Sequence, residues 1–160
     1  MGSPGEAVPL YEEIHKLTRE GLLRGYLPMA NFDLAYAHLL SGDPAAASEA
    51  ATEGLKDLEA KTEDVSGQAW VPLLTAKLEL ARGSRGSVDR YLEQAFSYGP
   101  LDTGAKVNLA EIYALTDQPD KALETLSEVL ASGYSDPYYL HIYPAFQSLR
   151  DDPRFRRLFE

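Results

Sequence analysis

A chain of 160 residues has the length of one domain or a short repeat array, and 44% hydrophobic against 25% charged residues favour a packed core over disorder. The formal net charge of −10 repels phosphate backbones, and no basic stripe offsets it, so no nucleic acid partner is expected. The absence of cysteine removes disulfides, thiol nucleophiles and cysteine zinc sites together.

Along the chain, residues 1–8 are expected to be a disordered N-terminus or a tag remnant, and residues 9–160 a single helical domain. MGSPGEAVPLYEE lacks the basic-then-apolar pattern of a secretory signal. No apolar run approaches the roughly 18–20 residues of a membrane helix. A cytoplasmic chain with no membrane partner is the expectation. Strand formers are scattered singly, while alanine, leucine and glutamate dominate. Apolar spacings of three and four, as in Leu10, Ile14, Leu17 or Leu123, Leu126, Leu130, predict helices over 9–24, 29–41, 44–60, 68–82, 86–98, 103–116 and 119–132. Short pieces follow near 137–142, 144–149 and 152–159. Pro28, Pro44, Pro72, Pro119 and Pro153 suit helix starts, Asp43 and Asp152 suit N-caps, and Gly42, Gly83, Gly99 and Gly133 suit helix ends.

Overlaying the helix pairs uncovers a period. Leu109-Ala110, Tyr113, a turn at Asp117, then Ala122, Leu126 and Val129 repeat the offsets of Thr75-Ala76, Glu79, Gly83, Val88, Leu92 and Ala95. The same offsets recur in Leu34-Ala35, His38, Gly42, Ala47, Ala51 and Gly54. Small residues near each turn let two antiparallel helices touch: Ala35 opposite Ala47, Ala76 opposite Val88, Ala110 opposite Ala122. One pair cannot bury both its sides, so pairs must stack. The wider gap between the first two copies implies seven inserted residues, placed within 59–68.

On these residues the chain resembles the tetratricopeptide repeat family, with repeats at about 29–60, 68–100 (closed by Pro100) and 103–134. The resemblance implies an all-α, right-handed superhelix of three antiparallel pairs, preceded by one helix and followed by a cap at 136–160. The tail is a second resemblance. Leu149, Arg150, Asp152, Pro153, Arg154 and Phe155 look like the LR-x-DPRF ending that closes tetratricopeptide arrays in many bacterial regulatory proteins. Phe155, Leu158 and Phe159 share one face of its last helix and suit docking on the array's apolar end.

No catalytic constellation stands out. His15, His38 and His141 are far apart in sequence, without His-x-x-x-His or Glu-x-x-His spacing, so no metal is expected. ARGSRGSVD (residues 81–89) has two glycines near a helix start but lacks the lysine-serine/threonine ending of a phosphate loop. It suits an inter-helix turn, although Arg82 and Arg85 could take an anion. Adjacent carboxylates such as Glu12-Glu13 and Asp151-Asp152 diverge on a helix rather than converge on a bond. The chain is expected to be no enzyme and to need no cofactor.

ANFDLAYAHLL is apolar around most of its circumference, so this helix is covered on both sides or lines a groove. In the resembled family the first helix of each pair lines the concave face. The register then places Phe32, Tyr36 and Leu39, Leu73, Lys77 and Leu80, and Val107, Glu111 and Ala114 along a partner-binding groove, unless the chain's own termini fill it. The polar positions that clamp a C-terminal carboxylate in some of these domains hold Phe32, Tyr36, Leu74 and Gly104 here, with Asn108 the polar one. A peptide or helical segment with apolar anchors therefore fits better than a charged tail. The expected function is a non-catalytic protein-interaction module, part of a bacterial regulatory or signalling protein. A homo-oligomeric scaffold using the Tyr-rich tail (Tyr134, Tyr138, Tyr139, Tyr143) and a small-ligand sensor or accessory domain of a larger enzyme are the alternatives.

Overall fold

The computed structural model describes residues 4–22, 27–60 and 68–160, and among them every regular element is helical. In chain order these are α1 (Pro4–Arg19), α2 (Leu27–Ser41), α3 (Pro44–Glu59), α4 (Trp70–Ala81), α5 (Val88–Ser97), α6 (Thr103–Leu115), α7 (Pro119–Ala131) and α8 (Pro137–Ile142). A 3₁₀ turn (Pro144–Leu149) and α9 (Pro153–Arg157) complete the described chain. Helix α1 begins at Pro4, so residues 4–8, expected to be disordered, are helical, and it ends at Arg19 rather than near 24. The proposed seven-residue insertion falls mostly outside the described residues.

The three pairs are α2/α3, α4/α5 and α6/α7. Each turns on one residue with a left-handed backbone, Gly42 (φ 85), Gly83 (φ 88) and Asp117 (φ 61), positions 41 and 34 residues apart. At each turn an amide reaches back five residues to a helix-end carbonyl. Asp43 N bonds to His38 O at 2.9 Å, Ser84 N to Glu79 O at 2.8 Å and Gln118 N to Tyr113 O at 2.8 Å. This is the bond that closes a helix ending in a left-handed residue. The sequence period is thus also a period of backbone hydrogen bonds. The N-caps follow the same economy of means: Asp43 accepts from Ala46 N at 3.0 Å and Asp102 from Ala105 N at 2.7 Å.

Pairs stack because each buries a stripe on the next. Helix α1 lies on α2, α4 on both α2 and α3, α6 on α4, and the 3₁₀ turn on α6. All six facing positions expected to be small (Ala35, Ala47, Ala76, Val88, Ala110, Ala122) are buried. Gly54 has a sharper role. A Cβ there would lie 2.7 Å from Leu78 Cδ2 and 2.8 Å from Asn31 Cβ, so α3 approaches α2 and α4 more closely than any larger residue permits. The smallness of the first repeat is therefore a close-packing requirement.

The tail covers the end of the stack. Leu140, Tyr143, Phe146, Leu149 and Phe155 share one buried cluster with Val107, Ala110, Leu126 and Val129 of α6 and α7. Phe155 contacts the rings of Phe146, Phe159 and His141. Asp136 and Asp152 cap α8 and α9 by accepting from Tyr139 N at 3.0 Å and Arg154 N at 2.8 Å.

Candidate functional site

The first helices of the three pairs, α2, α4 and α6, carry equivalent positions on the face turned toward the cap. Tyr36, Lys77 and Glu111 occupy one such position in successive repeats. In an ordinary groove they would be solvated. Here Lys77 is 1% and Glu111 3% exposed, and the two form an ion pair.

The pair is embedded in further partners. Lys77 Nζ donates to Asn108 Oδ1 at 3.0 Å and lies 4.1 Å from the centre of the Phe32 ring, which takes a cation on its π face. Phe32 in turn stacks on Tyr36 at 5.9 Å between ring centres. From the cap, the Tyr143 hydroxyl donates to Asp33 Oδ1 at 2.7 Å, tying together residues 110 positions apart. Burial pushes the Glu111 carboxyl above its ordinary value; Lys77 draws it back down and Asp33 adds a further rise. Asp33 is likewise raised, by burial first, against the pull of Lys77 and of the Tyr143 hydrogen bond. Tyr36 is pushed up to about 12 by burial and by the Glu111 charge. Tyr143 rises too, through burial and then the charges of Glu111 and Asp33. Two carboxyl groups sharing one ammonium make a floor with surplus acceptors, so neutral hydroxyl donors are the groups it accommodates.

Seven of the nine expected groove residues therefore part company. Phe32, Leu73, Lys77, Val107 and Glu111 are buried within the chain, while Tyr36 and Leu39 are half-buried. Leu73 points into the core between α4, α5 and α6, beside Ala76, Val88 and Ile112, and not toward the concave face. Val107 lies under the cap's Leu140 and Phe146. Much of the anticipated groove is thus occupied by the chain's own C-terminal segment, the condition under which that groove was expected to be filled. Asp33 is not among the expected site residues, and Tyr143 is expected only in the Tyr-rich tail of the scaffold alternative. A single acid inside the apolar α2 and a tyrosine in an aromatic tail were both visible, but their meeting was not.

What stays open is a cavity of about 300 Å³ at the C-terminal ends of α2, α4 and α6. Phe32, Tyr36, Leu39, Leu80 and Ala114 line it, with Ala145 and Ser148 of the 3₁₀ turn forming the opposite wall. Five of the nine residues placed on the groove by register thus reappear around one opening.

A tetratricopeptide repeat family model matches residues 89–143. The match begins inside α5, takes in α6, α7 and α8, and stops before the 3₁₀ turn. No curated protein and no solved structure matches the chain. Tetratricopeptide repeats generally mediate contacts between proteins, and the all-helical stack of pairs is the architecture such repeats build. Among the described residues no group of three or more His, Asp or Glu is placed to hold a metal ion. Nor is any described helix long and apolar enough to cross a membrane.

Proposed function

We propose that this chain is a non-catalytic protein-interaction module of a larger bacterial regulatory or signalling system, acting in the cytoplasm. In this reading the stack from helix α1 onward forms one unit and the LR-x-DPRF tail is its terminal cap. The partner is a peptide or helical segment that sets an apolar side chain into the opening beside Tyr36 and Leu39. The observation that carries this is the cavity of about 300 Å³, lined by the first helices of all three repeats and left uncovered by the cap. The cap leaves too little of the concave face for a long helix, which favours a short segment with one anchor.

The test is site-specific photo-crosslinking from Leu39, with Phe96 on the remote face of α5 as control. A partner captured from Leu39 but not from Phe96 is then purified and titrated against Leu39→Glu. That variant is expected to bind at least about tenfold more weakly, as loss of a buried anchor implies. Equal affinity of Leu39→Glu and the parent chain would overturn the reading. Self-association is the second reading, and it is favoured by Leu10 and Tyr138, which are 61% and 69% exposed. A monomeric mass in light scattering at high concentration excludes it.

A further inference from the structure

Charge sets the cavities against the described helices apart from one another. Those between α3 and α4, between α5 and α7, and beside Tyr113 all have carboxylates in their walls: Glu59 and Glu79, Glu124 and Glu128, Asp89 and Glu93. The concave cavity has none, although the chain holds 25 acidic residues. Its one charged group is Arg85, on the exposed turn between α4 and α5. Arg85, Tyr36 and Ser148 all line the opening, and neither the Arg85 guanidinium nor the Tyr36 and Ser148 hydroxyls have a hydrogen-bond or ion-pair partner among the described residues. The remainder of the wall is apolar, including Phe32, Leu39, Leu40, Leu80 and Leu115.

Three helices end at this opening, and helix C-termini ordinarily favour cations. Here the carbonyls of His38, Glu79 and Tyr113 are each taken up by the amide five residues on, which blunts that preference. Donors without acceptors then remain around an apolar hollow. A ligand with an apolar body and an acceptor-rich anionic end satisfies both halves of the site.

We propose that this cavity binds a small apolar monocarboxylic acid, with its hydrocarbon body among Phe32, Leu39, Leu80 and Leu115 and its carboxylate toward Arg85, Tyr36 and Ser148. The volume suits a compact acid of about eight carbons, since about 300 Å³ is the lower end of ligand-pocket sizes. The inference goes beyond the interaction reading and does not require it, because it concerns the isolated chain.

The test is a titration of the full ¹⁵N-labelled chain with sodium octanoate, 1-octanol and octylammonium chloride, followed by amide shifts at Leu39, Leu80, Leu115 and Ala145. Octanoate is expected to give saturable shifts at these amides, with the other two probes several-fold weaker there. The cationic probe is expected to spread over the acidic surface instead. Arg85→Gln, a change on an exposed turn, should weaken octanoate about three- to five-fold, the upper part of the range for an exposed charge pair, and leave octanol unchanged. Leu39→Trp should fill the cavity and abolish all shifts there. Equal affinities for the three probes, or an octanoate affinity indifferent to Arg85→Gln, would overturn the proposal. Failure of octanoate beside a partner captured at Leu39 would sink this inference alone; octanoate binding with no such partner would sink only the interaction reading.

Discussion

The seams inside the helix pairs and the floor beneath the cap solve the same problem with opposite materials. At the seams, Ala35, Ala47, Ala76, Ala110 and Ala122 contribute almost no polar chemistry and are there to let backbones approach. At the floor, Lys77, Glu111, Asp33, Asn108 and Tyr143 are buried or half-buried together and must satisfy one another. The seam is sensitive to volume and indifferent to pH. The floor is sensitive to charge, and a change there exposes whatever partner is left behind. Stability in this protein therefore depends on fit in one region and on pairing in the other.

The sharpest break of that contrast is Lys77→Met. It leaves Glu111 buried without its cation and is expected to cost about 3–5 kcal/mol, read as a fall in the urea midpoint. The double variant Lys77→Met/Glu111→Leu should recover most of the loss, because replacing both members of a buried pair removes the unpaired charge. A double variant as unstable as the single one would mean that the floor, too, is governed by fit.

At the seam, Ala122→Leu forces extra carbons into a position that is 0% exposed and should cost about 1–3 kcal/mol by overpacking. Its loss should be the same at pH 5 and pH 7, which thermal melts can check. Tyr143→Phe removes the hydroxyl that reaches Asp33 and should cost about 1–2 kcal/mol, with faster amide exchange in residues 137–149.

The pH dependence follows from sign. Asp33 and Glu111 both stand above their ordinary values of 3.8 and 4.5 in the folded chain. The folded state therefore holds protons that the unfolded state has released, and their contribution to stability falls as pH rises from about 4 through the folded values. Asp33→Asn keeps an acceptor for Tyr143 and should flatten this part of the decline between pH 4 and 7, compared melt by melt with the parent chain. The smallest effect belongs to the surface. Lys106→Ala removes a pair with Glu128 that is a third to a half exposed, and should cost about 0.2–1 kcal/mol, less in high salt.

Much of the architecture was legible in local signals. Proline and aspartate at helix starts, glycine or Asp117 at the turns and alanine at fixed offsets all act within a few residues of where they stand. Pro44 to Glu59 and Pro119 to Ala131 accordingly formed within a residue or so of expectation. Gly54 was visible as a small residue, but the Leu78 and Asn31 atoms that require it come from two other helices. Register also placed Phe32, Tyr36 and Leu39 on the concave face, and these three line the open cavity. It could not tell that Leu73 turns into the core between pairs, since a helix apolar on most sides has no unique inward face.

By itself, the sequence determined the helices, their pairing and the 34-residue unit, because propensity, capping and spacing are local properties repeated three times. Only the tertiary structure decided what fills the concave face. Tyr143 meets Asp33 and Lys77 meets Glu111 across 110 and 34 positions of chain, and which charges are buried depends on how the pairs curve and where the tail returns. Residues that alone would be solvated became a buried floor, and Phe32, Tyr36 and Leu39 came to line an opening beside the cap.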